Sequence, residues 1–75
     1  MIIGRIEINS EICGGKPVLA NTRIPVAVVL GYLAAGDDFD DIIAAYPQIA
    51  KDDILACLDY AVKSMNNSHG IYALS

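Results

Sequence analysis

The sequence predicts a mainly α domain of three helices containing a helix-turn-helix, preceded by a short N-terminal β-hairpin. Three observations predict it. The start alternates apolar Ile6 and Ile8 with charged Arg5 and Glu7, an uncharged run follows from Val26 to Ala35, and two later stretches repeat apolar residues three and four positions apart. Alternation is the period of a half-buried strand, and the later spacing gives a helix one apolar face.

The β element spans residues 2–20. Ile2 to Ile8 reads as one strand, broken by Asn9-Ser10, and after the Gly14-Gly15 turn Pro17-Val18-Leu19-Ala20 reads as the second. Pro17 lacks an N–H and so belongs at a sheet edge or a strand start. Two strands alone are not stable in water, so they must lie on the helices or pair with another subunit. Asn21 suits a left-handed turn into the first helix. Pro25 suits the first helical turn, and Gly36 stops a helix running from about 25 to 35. Helix two, 38–46, opens on Asp38 as N-cap with Asp41 three residues on, and turns Phe39, Ile42, Ile43 and Tyr46 to one face before Pro47 ends it. Helix three, 51–65, has Ile54, Leu55, Leu58, Ala61, Val62 and Met65 as its apolar face. A single domain over 1–65 results, and residues 66–75 read as a flexible C-terminal tail.

Hydrophobic residues make up 55% of the 75 and mean hydropathy is +0.45. A chain this short buries only about 60% of its unfolded surface, so this much apolar matter predicts a homodimer or higher homo-oligomer. The first helix is apolar or small at every position, which implies burial on more than one side and makes Val26, Val29, Leu30 and Leu33 the candidate dimer interface. A membrane is excluded as the outlet. The longest charge-free run, Ile24 to Gly36, is thirteen residues against the roughly 20 needed to span, and no secretory leader is evident. Two cysteines, Cys13 and Cys57, make no disulfide scaffold, and with His69 no metal-ligand set; free thiols fit a cytoplasmic protein.

No catalytic constellation stands out, so the chain reads as a non-enzyme without cofactor or metal. Asp37, Asp38, Asp40 and Asp41 read as helix-start anions that complement the helix dipole, as do Asp52 and Asp53. Gly14-Gly15-Lys16 lacks the upstream glycine and the following Ser or Thr of a phosphate-binding loop. Cys13 has no partner base in reach of sequence logic. What remains is binding. The helix-turn-helix spacing of helices two and three would place helix three in a DNA major groove, with Lys51 and Lys63 as candidate contacts. Asp52, Asp53 and Asp59 on the same helix repel phosphates, so Arg5, Lys16 and Arg23 in the near-neutral first half become the remaining candidate contacts for DNA or an acidic protein.

Cys13-Gly14-Gly15-Lys16-Pro17-Val18, Asn21-Thr22-Arg23-Ile24-Pro25-Val26, the Leu30, Leu33 and Gly36 spacing, Tyr46-Pro47 and Asp53-Ile54 together resemble the small bacterial domain-of-unknown-function family numbered four hundred and thirty-three. The resemblance covers about Ile8 to Ala61. It implies a homeodomain-like fold and an antitoxin of a type II toxin-antitoxin pair, made beside a PIN-like nuclease toxin. Such nucleases hold metal with clustered carboxylates, so a protruding Arg5 or Arg23 would pair with them, and a dimer would read operator DNA with helix three. The alternative is a homo-oligomeric protein-interaction module without DNA binding. Two residues depart from the family pattern: Asn21 stands for the usual Gly, and Ala50 for the usual Ser or Thr before helix three.

Overall fold

The computed structural model describes residues 1–68. Three two-residue strands, β1 (Ile2–Ile3), β2 (Ile6–Glu7) and β3 (Val18–Leu19), form an antiparallel sheet in the order β1-β2-β3. Ile3 pairs with Ile6, and Ile6 pairs in turn with Leu19. The expected first strand is therefore two strands. Gly4 lies at φ +59°, a left-handed value that glycine adopts without steric cost, and the chain reverses there at Gly4-Arg5. The charge alternation around Ile6 hid this reversal. Pro17 precedes β3 at the sheet edge, as its missing N–H requires.

Helix α1 (Val26–Ala34) starts from Pro25, and Asn21 has the expected left-handed backbone at φ +65°. Its end is closed by two hydrogen bonds: the Gly36 N–H donates to the Leu33 carbonyl at 3.0 Å, and the Asp37 N–H to the Tyr32 carbonyl at 3.0 Å. The helix is not enclosed on all sides. Val26 and Val29 sit at 2% and 0% exposure in this chain's own core, while Ala27, Gly31 and Ala34 face solvent. The outer side of the helix carries small residues. Val26 and Val29 thus offer no surface to a second copy, a correction to the expected dimer interface; Leu30 and Leu33 pack half-buried against the same core.

Helix α2 (Phe39–Ala45) begins as its sequence dictates. The Asp41 N–H donates to Asp38 Oδ1 at 2.9 Å and the Asp38 N–H to Asp41 Oδ2 at 3.0 Å, so each aspartate satisfies an otherwise orphaned donor. Helix α3 (Lys51–Ser68) continues three residues past its expected end, because Asn66, Asn67 and Ser68 are tolerated in a last turn and no Gly or Pro intervenes. The expected tail therefore starts too early at 66, and its remainder from 69 to 75 lies outside the described residues. The inward face of α3 also differs from expectation. Ile54 and Cys57 are fully buried, whereas Leu55, Leu58, Val62 and Met65 are exposed. Ile54, Cys57, Ile42, Val29 and Leu19 form the centre of the core, and Ile6 docks the sheet onto it. Tyr32 and Tyr46 meet edge to face, ring centroids 6.0 Å apart, and join α1 to the end of α2.

Ala50 precedes α3 without a side-chain acceptor. Only half of a capping box is present, the Ala50 N–H donating to Asp53 Oδ2 at 2.8 Å. Replacing Ala50 with Ser supplies the missing acceptor for the first-turn N–H groups. Urea denaturation of Ala50→Ser is expected to show a gain of about 0.5–2 kcal/mol, and no gain would mean that the helix start is already satisfied.

Candidate functional site

The most irregular backbone of the chain lies between β2 and α1. Cys13, Gly14 and Gly15 have successive φ values of 51°, 67° and 86°, a left-handed turn in which only the two glycines are free of steric cost. A second turn follows. The Thr22 hydroxyl donates to the Leu19 carbonyl at 2.7 Å and accepts the Ile24 N–H at 3.0 Å, while the Leu19 N–H donates to the Ile24 carbonyl at 2.9 Å. The chain then runs back beside itself, with the Val26 N–H on the Pro17 carbonyl at 2.9 Å. The two turns are joined by the Cys13 thiol, which donates to the Arg23 carbonyl at 3.8 Å. Beneath them Val18, Leu19 and Ile24 are buried. The result is a two-loop platform anchored in the core, with Lys16 and Arg23 exposed on it.

The five candidate cations have different fates. Arg5 stays half exposed but pairs within its own chain, its Nη1 donating to Asp53 Oδ1 at 3.0 Å and its Nη2 lying 3.7 Å from Asp52. These pairs latch the β1–β2 turn to the start of α3. Lys63 pairs with Asp59 one helical turn back at 2.9 Å. Lys51 lines a shallow groove with Asp38, Asp40, Phe39 and Ile43. Among the described residues, Lys16 and Arg23 enter no ion pair. They are brought onto one structural unit, and the other three candidates are scattered around α3.

Burial and the nearby Asp53 carboxylate push the Cys57 thiol up to about 11, so it stays protonated inside the core. Among the described residues, no group of three His, Cys, Asp or Glu side chains is placed to hold a metal ion. Both described cysteines are free thiols, Cys13 exposed and Cys57 buried. No helix among the described residues is long and apolar enough to cross a membrane. Thr22 is not among the sequence candidates, yet it organises the platform, and Asp53, expected only as a helix-start anion, also bonds the Ala50 N–H and Arg5. The signal for Thr22 is a hydroxyl two residues before an N–H in a turn; for Asp53 it is a carboxylate at the third helical position.

The platform spans the stretch that carries the family resemblance, and the comparisons agree with it. No curated protein matches the chain. A crystal structure of a DUF433 member protein from Anabaena variabilis ATCC 29413 superposes with a TM-score of 0.77 at 30% identity. The match covers 84% of this chain and 62% of that one, so this chain spans less than two thirds of its neighbour's length. Residues 6–61, from β2 through the platform and well into α3, match the profile of the family described as "Protein of unknown function (DUF433)", and to that family this chain belongs.

Proposed function

We propose that the chain is a non-catalytic, cytoplasmic binding protein that docks an acidic protein partner on its Lys16–Arg23 platform. The observation that carries this reading is that Lys16 and Arg23, which like Lys51 are exposed and outside every ion pair of the described residues, share one hydrogen-bonded two-turn unit of a chain whose formal net charge is −4. The planar guanidinium of Arg23 suits bidentate pairing with carboxylates, and the buried base of the platform holds its backbone in place. The partner of this reading is the PIN-like nuclease toxin that the family resemblance implies. Its metal-holding carboxylates are the complementary charge, and the chain is then the antitoxin.

The test is co-expression with a PIN-like nuclease encoded beside the chain, read as growth rescue and as co-purification. Arg23→Glu and Lys16→Glu together are expected to abolish both, with an unchanged circular-dichroism spectrum. Rescue that survives the double charge reversal overturns the reading.

A second reading, operator binding through α2 and α3, has the order of these two helices in its favour. The outer face of α3 opposes it, since that face shows Leu55, Leu58, Val62 and Met65 beside Asp52 and Asp59. Phosphate neutralisation supplies most non-specific affinity, and this face supplies little of it. A gel-shift titration on the chain's own promoter at two salt concentrations decides it, because genuine binding must weaken with salt.

A further inference from the structure

The tip of the second turn, residues 20–23, is closed at its base by buried Leu19 and Ile24, the Leu19 N–H donating to the Ile24 carbonyl at 2.9 Å. The Ile24 N–H has a side chain as its acceptor, the Thr22 hydroxyl at 3.0 Å. The same hydroxyl donates to the Leu19 carbonyl at 2.7 Å, beside the Thr22 N–H at 3.1 Å. Arg23 lies between the two ends of this bridge. Among the described residues, its own carbonyl takes the Cys13 thiol alone, a weak donor at 3.8 Å. On the reading of the platform as a docking surface, we propose that Thr22 is its positioning residue: by bonding on both sides of Arg23, the hydroxyl sets where this arginine stands relative to Lys16, and so how tightly a carboxylate-bearing partner is held.

Lys16 is held without help from Thr22. Its N–H donates to the Cys13 carbonyl at 3.3 Å, and the next residue, Pro17, accepts the Val26 N–H at 2.9 Å. Arg23 has no such main-chain bond among the described residues. The tip is anchored at its two ends, the Ala20 N–H on the Arg5 carbonyl at 2.8 Å and Pro25 with its ring-fixed φ, so the hydroxyl holds the part between. Threonine suits this task on two counts. Its hydroxyl both donates and accepts, and its β-branch leaves few rotamers, so the bridge forms with little loss of side-chain freedom. Valine has the same shape without the hydroxyl. In Thr22→Val the Ile24 N–H loses its acceptor and recovers one from water only if the tip opens. Arg23 then moves with the tip, and a partner must reorder it on docking. Affinity falls although no charge is removed and Thr22 itself need touch nothing.

Isothermal titration of the full chain with the PIN-like nuclease encoded beside it tests this. Thr22→Val is expected to bind about five- to tenfold more weakly than the unaltered chain, the effect of one lost hydrogen bond, and Thr22→Ser to bind nearly as well as the unaltered chain. Should Thr22→Val fail to fold, Thr22→Ala, smaller and free of crowding at the turn, gives the same reading. Ile42→Val, at a fully buried position of α2, is the control for mere loss of stability: its urea midpoint is expected to fall with affinity unchanged. In the free chain, hydrogen exchange at the Ile24 N–H is expected to quicken in Thr22→Val more than in Ile42→Val. Affinity unchanged in Thr22→Val but abolished by Arg23→Glu overturns the role of Thr22 and leaves the docking surface standing. An equal loss of affinity in Ile42→Val also overturns that role, since Thr22 then serves the fold alone. No binding by the unaltered chain, or binding that survives Lys16→Glu with Arg23→Glu, overturns the docking surface and the role of Thr22 with it.

Discussion

Ile54→Ala is expected to cost about 2–5 kcal/mol, the range for truncating a fully buried aliphatic side chain whose surroundings cannot collapse into the space. Ile54 has 0% exposure and belongs to the same buried cluster as Ile42, Val29, Leu19 and Cys57. A domain of this size has about 4–11 kcal/mol in all, so the loss is a large fraction of it. Leu55→Ala, one residue away, is the control. It faces solvent at 44% and is expected to cost under about 1 kcal/mol in the monomer. Urea denaturation midpoints of the two variants at low protein concentration check the contrast. Equal losses would mean that the inward row of α3 has been misassigned, and with it the exposed row.

Asp53→Ala is the second large effect, expected at about 1.5–3 kcal/mol because one carboxylate serves two elements. Its Oδ2 accepts the Ala50 N–H at 2.8 Å and so supplies the only side-chain capping bond at the α3 start among the described residues, while its Oδ1 accepts from Arg5 at 3.0 Å. The Asp53 side chain is 18% exposed and Arg5 52%, so the ion pair is partly screened and contributes the smaller share. Arg5→Ala is accordingly expected to cost under about 1 kcal/mol, because the capping bond survives it. A double-mutant cycle over Arg5 and Asp53 separates the two terms. A coupling energy that accounts for the whole Asp53→Ala loss would sink the capping role. The same experiment bears on function, since Arg5 spent on Asp53 leaves Lys16 and Arg23 as the platform's charges.

Local chemistry accounts for what is legible in the sequence. The Asp38–Asp41 capping box, the left-handed Asn21, the Pro25 helix start and the Gly36 stop each follow from the conformational limits of one or two residues. The order of the three helices is legible as well. Residues 2–8 read as one strand in the sequence because charge alternation and a glycine reversal compete within a few positions, and alternation alone does not show where the chain turns.

Which apolar residues end up inside was settled by packing. α3 has a continuous apolar arc broad enough for two rows, and its periodicity is the same whichever row faces the core. Only the placement of α1, α2 and the sheet chose Ile54 and Cys57 over Leu55 and Leu58. The same holds for the cations. Arg5, Lys16 and Arg23 are alike in sequence, but Arg5 meets an aspartate forty-eight positions away, and a contact at that separation exists only once the chain has folded. Short-range rules fix backbone shape within a few residues; long-range contacts decide which side chains are left for a partner.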